Sequence, residues 1–173
     1  MAVGVIAVTL PSLFAVLYVV LKQEAKVLRL SEVKRQGDYA LNVMEVILRN
    51  NAAAIYSDQA LLTERCAAPG ATDSIVNGSG NFYFKDRNSN YLRFYFNANK
   101  ISSGSATTNG DITSNKVMIQ NFTLTCRRPG VYSSSVVGVS FDICYQNTAG
   151  NCSGRVEEQA SMHYQTSIKL RNK

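Results

Sequence analysis

Histidine is almost absent from this sequence, and the common phosphate-binding loops are missing. One histidine among 173 residues excludes zinc sites that need two, such as HExxH. No stretch matches GxGxxG, or GxxxxGK followed by Ser or Thr, so nothing supports a nucleotide-binding loop. No pairing of a nucleophile with a base points to an enzyme, and no cofactor or metal is implied. Charged residues are scarce at 17%, but hydrophobic residues reach 46%, which excludes a largely disordered chain.

Charge is missing completely from the first twenty residues after Met1. Residues 2–21 contain no Asp, Glu, Lys or Arg, and twenty helical residues span ~30 Å, the thickness of a bilayer core. The run is too long for a secretory signal and lacks its basic start. We therefore expect residues 1–21 to be the transmembrane part of an N-terminal helix that contacts lipid through residues 2–21. The alternative is a buried helix inside a globular core.

Residues 22–56 predict an amphipathic continuation of the same helix. Apolar residues recur every three or four positions, which places them on one helical face. Gly37 fills the remaining position of this stripe, and no proline interrupts it. The members of the stripe are Leu30, Val33, Leu41, Met44, Leu48, Ala52 and Ile55.

Residues 57–173 predict a globular domain built on an antiparallel β-sheet. From Ala160 to Leu170, the even positions are mostly apolar and the odd positions are polar, as expected for a strand with one buried face. The strand near 116–126 changes phase, which predicts a bulge at Gln120 and Asn121. A helix that covers one face of such a sheet is an α+β architecture. We expect the helix–sheet core to contain Leu41, Met44, Leu48, Leu124, Phe141, Tyr164 and Ile168.

The four cysteines lack the C-x-x-C spacing of metal or redox motifs. Strand parity places Cys126 on the inner face and Cys144 on the outer face, which disfavours a bridge between them. We predict the disulfides Cys66–Cys126 and Cys144–Cys152, and therefore an oxidising compartment. The alternative is four reduced thiols in a cytoplasmic domain.

Tyrosines and cations alternate with phenylalanines on two neighbouring predicted strands. We expect these tyrosines and cations to form an exposed aromatic–basic patch, which can stack bases or bind phosphates. Ordinary cross-strand pairing on a solvated face is the favoured interpretation of these residues, and a nucleic acid is the less favoured partner. The patch consists of Tyr83, Lys85, Tyr91, Arg93 and Tyr95.

Several segments resemble the type IV pilin and pseudopilin superfamily. SEVKRQGDYALNVMEVILRN is similar to the helix that follows the membrane part in prepilin-type proteins, and NFTLTC, VVGVSFDICY and EEQASMHYQTSIKLRNK are similar to their later strands. Pilins also carry a basic leader and a Glu five residues into the mature chain. Residues 1–21 contain no Glu and no such leader, so we expect the sequence to begin late, inside the hydrophobic helix.

The resemblance implies a structural role. The expected function is that of a minor pilin or pseudopilin in a type IV pilus or a type II secretion-like filament, with other pilin-like subunits as partners. The expected location is the bacterial cytoplasmic membrane, with the β domain outside, and then the extracellular filament. The basic residues after the anchor favour a cytoplasmic β domain, whereas the cysteines favour an external one. The alternative function is a membrane-tethered extracytoplasmic binding module that does not polymerise.

Overall fold

One long helix dominates the architecture. The computed structural model describes residues 2–78, 80–147, 150–152 and 159–171, and the side chains of the helix from Leu10 onward. Helix α1 covers Ala2–Asn51, and its 50 residues correspond to a length of ~75 Å. Pro11 lies within it, and the helix continues on both sides of this residue.

The helix ends at Asn51, five residues earlier than the predicted end near residue 56. Ala54–Tyr56 form a short strand, β1, in which all three residues are buried. This strand pairs with Tyr83–Lys85, so its backbone groups bond across a sheet rather than along a helix. Ala52 and Ile55 are buried as the stripe predicted, but Ile55 lies in a strand.

The β domain contains two antiparallel sheets, whereas the sequence analysis expected one. The first has six strands in the order β2-β1-β4-β5-β6-β7, and the second has four in the order β10-β9-β8-β3. The remaining strands are β2 (Glu64–Arg65), β3 (Thr72–Val76), β4 (Tyr83–Lys85), β5 (Tyr91–Asn97), β6 (Lys100–Ser105), β7 (Asn109–Asp111), β8 (Val117–Arg127), β9 (Val136–Tyr145) and β10 (Ser161–Lys169).

A single hydrophobic core joins the helix to both sheets. Helix α1 contacts β9 and β10, and its fully buried side chains follow one another at helical spacing. These are Val33, Ala40, Met44 and Leu48. The six-stranded sheet contributes Phe82, Phe84, Phe94 and Ile101. All seven residues predicted for the helix–sheet core lie in or against this cluster, with Leu41 and Tyr164 partly exposed. The fold is therefore α+β, with one helix packed on antiparallel sheets.

Strand parity matches the sequence pattern. Along β10 every odd residue is exposed and every even residue is at least partly buried. The register between β8 and β9 shifts between Gln120 and Thr123, which is the bulge that the phase change predicted. Asn121 adopts a φ of 52° there, a left-handed conformation that asparagine tolerates better than most residues.

Candidate functional site

From Leu10 to Ala25, α1 is exposed on every side. Each residue from Leu10 to Ala25 is exposed, and the large apolar residues among Leu10–Leu21 leave between 43% and 67% of their surface accessible. Val27 and Leu28 extend this surface toward the sheets. Contiguous apolar surface of this extent is typical of a region that contacts lipid or other protein chains. We call Leu10–Leu28 the exposed helix surface.

The structure does not identify a membrane span. Among the helical residues with described side chains, no segment is both long and apolar enough to cross a bilayer. The predicted anchor, residues 2–21, lies partly outside those residues, because no side chain is described before Leu10. At the end of the apolar run, the Lys22 Nζ lies 4.6 Å from the centre of the Tyr18 ring. A cation on an aromatic ring at this position is a pairing common where helices leave an apolar environment.

The second half of α1 is fixed to the sheet around Tyr164. The Tyr164 ring stacks on Phe141 with 5.3 Å between centroids. Its hydroxyl lies 3.1 Å from both the Lys34 carbonyl oxygen and the Asp38 carboxylate, two acceptors that share its one proton. The ring lies against Gly37, where an added Cβ would be 2.3 Å from the Tyr164 Cε2. Burial and the adjacent Asp38 carboxylate raise the pKa of Tyr164 to about 12. The position and rotation of the helix on the sheet are therefore specified by close contact.

Two disulfides connect the elements, in the pairs that the sequence analysis predicted. Cys66–Cys126 joins the loop after β2 to β8 and closes 60 residues, and both of its cysteines lie in the main core. Cys144–Cys152 closes a loop of only eight residues after β9. By the chain-entropy relation, the long loop gives the larger stabilisation, about 4 kcal/mol against about 2.6 kcal/mol. Disulfides of this kind persist in oxidising compartments.

Four of the five residues of the predicted aromatic–basic patch contact one another, but they do not form an exposed surface. The Arg93 guanidinium lies 4.5 Å from the Tyr95 ring centre and 5.8 Å from that of Tyr83, and Tyr83 meets Tyr91 edge to face at 5.7 Å. Tyr83 is only 7% exposed, and the other four residues are partly buried. The expectation of a fully exposed patch is therefore wrong.

The burial of Tyr83 results from pairing between distant segments. Strand β1 pairs with β4, so Ala54 and Tyr56 pack with Tyr83, while Leu61 from the following loop packs against the same cluster. The Tyr91 hydroxyl accepts a hydrogen bond from Gln59 in that loop at 2.9 Å. Cross-strand packing therefore uses most of the aromatic surface that a ligand would need.

A polar network lies on the outer face of the four-stranded sheet. The His163 Nδ1 lies 2.6 Å from one oxygen of Asp142, and the Asn121 amide donates to the other at 2.7 Å. These contacts, with Asn121 as the larger cause, lower the pKa of the Asp142 carboxyl. Within the described residues, His163 forms no hydrogen bond to a hydroxyl or thiol, so the network lacks the nucleophile that hydrolytic chemistry needs.

A second cationic surface, missed by the sequence analysis, lies at the C-terminal end of α1. Two adjacent grooves share Ala53 and Arg171, and we call them the helix-end grooves. The first, about 340 Å³, also contains Arg128, Tyr132 and Ser133–Ser135. The second, about 530 Å³, also contains Lys85 and Arg87. Their residues come from the chain end, the β4–β5 turn and the loop after β8, so no local motif could have indicated them.

Comparison with known proteins adds no assignment, since no family model, curated protein or solved structure matches this chain.

Proposed function

We propose that this chain is a structural subunit, resembling a minor pilin or pseudopilin, of a filament whose subunits associate through their N-terminal helices. The observation that carries the proposal is the division of α1. The second half of this continuous helix packs one stripe on the sheets of its own chain, whereas the described side chains from Leu10 to Leu21 are mostly apolar and exposed. An apolar helix surface without a partner in its own chain requires an external one.

Membrane lipid is that partner before assembly, and neighbouring subunits are that partner afterwards. Before assembly, residues 2–21 contact membrane lipid, which is consistent with their lack of charge and with the Lys22–Tyr18 contact. In the filament, the same surfaces pack against the helices of other pilin-like subunits. The two disulfides support a β domain outside the cytoplasmic membrane, in an oxidising compartment.

Photo-crosslinking can separate assembly from simple tethering. A photoreactive benzoylphenylalanine replaces Leu17 on the exposed helix surface, and the matched control replaces Leu62, an exposed leucine of the β domain. In membranes that contain the assembly machinery, we expect Leu17 to give a ladder of chain-to-chain adducts and Leu62 to give few. The measurement is denaturing electrophoresis after irradiation, with mass spectrometry of the adducts.

The alternative is a membrane-tethered binding module that remains monomeric. In that case the probe at Leu17 would react with lipid alone, and no chain-to-chain adduct would form. Equal adduct yields at Leu17 and Leu62 would also contradict assembly through the helix.

A further inference from the structure

The helix-end grooves carry an excess of positive charge. Four cations line them, Lys85, Arg87, Arg128 and Arg171, against two carboxylates, Glu64 and Asp86. Asp86 accepts hydrogen bonds from the backbone N–H groups of Asn88 and Asn90, at 2.8 and 2.7 Å, so its own turn already engages it. None of the four cations forms an ion pair with a carboxylate in the described part of the chain.

Two of the arginines, Arg128 and Arg171, are held in place by backbone carbonyl oxygens. These acceptors are neutral, so the positive charge of both side chains is not compensated by them. Arg128 donates to the carbonyl oxygens of Ala67 and Val131, and Arg171 donates to that of Asn50 at the end of α1. The Arg128 Nε is buried and has no hydrogen-bond partner within the described residues. A buried donor without an acceptor is costly, and an anionic ligand in this groove would supply acceptors. The guanidinium groups of Arg128 and Arg171 are therefore fixed in position and can bind an anion.

The groups between the cations are hydroxyls and one fully exposed ring. Ser133 and Ser135 have side-chain hydroxyls without hydrogen-bond partners among the described residues, and Tyr132 is 98% exposed. Single-stranded nucleic acid is bound by successive aromatic rings that stack successive bases. These grooves offer one exposed ring, because Tyr56, the other tyrosine that lines them, is only 7% exposed. A chain of sugar rings that carries hydroxyl and acid groups matches the mixture of serines, arginines and a single exposed tyrosine better.

We propose that the helix-end grooves bind an acidic saccharide. Its acid groups pair with Arg87, Arg128 and Arg171, since the guanidinium fork matches a carboxylate with two hydrogen bonds. Its hydroxyls bond to the free serines, and one sugar ring lies on Tyr132. The site is at the opposite end of α1 from the exposed helix surface, so binding does not depend on assembly and the two activities can be tested separately.

The test uses the full chain in an uncharged detergent and fluorescence anisotropy. The probe is labelled octagalacturonate, with unlabelled maltooctaose as the neutral competitor and dT8 as the nucleic-acid competitor. Octagalacturonate should bind, and maltooctaose should not displace it. We expect Arg87→Gln to weaken binding about tenfold through loss of a charge-assisted contact, and Tyr132→Ala to weaken it at least fivefold. Neither side chain has a partner among the described residues, so the thermal midpoint should stay unchanged.

Lys116→Gln is the matched charge control. Lys116 is exposed and lies near Glu32, ~28 Å along α1 from the grooves. Its loss should change the affinity less than twofold. Equal losses for Lys116→Gln and Arg87→Gln would overturn the proposal, because binding would then follow net charge alone. Absence of binding at 1 mM octagalacturonate, or tighter binding of dT8 with no loss in Tyr132→Ala, would overturn it as well.

Discussion

Leu17 and Leu48 belong to the same uninterrupted helix, yet Leu17 is 55% exposed and Leu48 is completely buried. The difference lies in the residues around them. From Val33 onward, the fully buried residues recur at helical spacing, so a single stripe faces the sheets and Val46 on another face stays exposed. From Leu10 to Leu21, apolar residues surround the helix, and neither sheet of the described residues covers them. The comparison shows that a continuous helix can carry, in succession, an apolar surface that its own sheets leave exposed and a stripe that they bury.

The largest expected effect tests this contrast directly with one substitution at two positions. Leu48→Ala should lower the free energy of unfolding by about 2–5 kcal/mol, because a buried leucine leaves a cavity. Leu17→Ala should change it by less than about 0.5 kcal/mol, as expected for a surface position. Denaturant unfolding of the full chain in a mild detergent measures both. Equal losses would mean that the first half of α1 is packed within the monomer.

A smaller effect is expected where the helix approaches the sheet most closely. Gly37→Ala places a methyl group against the Tyr164 ring, whose stacking on Phe141 and hydrogen bonding hinder its retreat. Overpacking of this kind costs about 1–3 kcal/mol. The same unfolding assay measures the loss, and Gly110→Ala, where nothing lies within 4 Å, is the control.

A double mutant identifies the cause of that loss. In a Tyr164→Leu background, Gly37→Ala should cost much less, because the ring that the methyl group meets is gone. An undiminished cost would show that the substitution acts elsewhere, and would remove Tyr164 as the contact that fixes the helix.

The smallest effect concerns the Tyr164 hydroxyl. Tyr164→Phe should lower the free energy of unfolding by about 0.5–1.5 kcal/mol at neutral pH, through loss of hydrogen bonds to Lys34 and Asp38. Tyr39→Phe, at an exposed position on the same helix, should have no measurable effect. The measurement is again denaturant unfolding, compared between the two variants.

The same hydroxyl predicts a pH dependence with a defined sign. The folded pKa of Tyr164 is raised to about 12 from its ordinary value of 10.0, so the folded state retains this proton longer than the unfolded state does. Its contribution is complete below pH 10 and is lost as the pH rises toward 12. The stability difference between the parent chain and Tyr164→Phe should therefore shrink over that interval. A difference that stayed constant from pH 9 to 12 would contradict the assignment.

Local periodicity predicted those parts of the fold that depend on one element at a time. The helical stripe through Met44 and Leu48, the alternation along β10 and the bulge at Asn121 all follow from spacing within a single segment. The disulfide prediction used local information too: strand parity disfavoured a Cys126–Cys144 bridge, and Cys152 follows Cys144 by only eight residues.

The features that the sequence did not reveal depend on pairing between distant segments. Ile55 satisfied the helical stripe, but pairing with Phe84 places it in a strand, and this same pairing buries Tyr83. The division into two sheets depends on which strands become neighbours, and alternation within each strand does not encode that choice. The helix-end grooves combine separate segments around Arg171, so they exist only once the chain has folded.

Because α1 is unbroken, it fixes the orientation of the exposed helix surface relative to the helix-end grooves. Each helical residue turns the chain by ~100° and advances it by ~1.5 Å, so the angular phase of the exposed helix surface is coupled to that of the β domain. One residue inserted near Ala25 would rotate the helix-end grooves by ~100° about the axis relative to any assembly contact. Seven inserted residues would restore the facing direction to within about 20° while displacing the β domain by ~10 Å. The helix therefore sets both the distance and the rotational orientation of the β domain relative to the exposed helix surface.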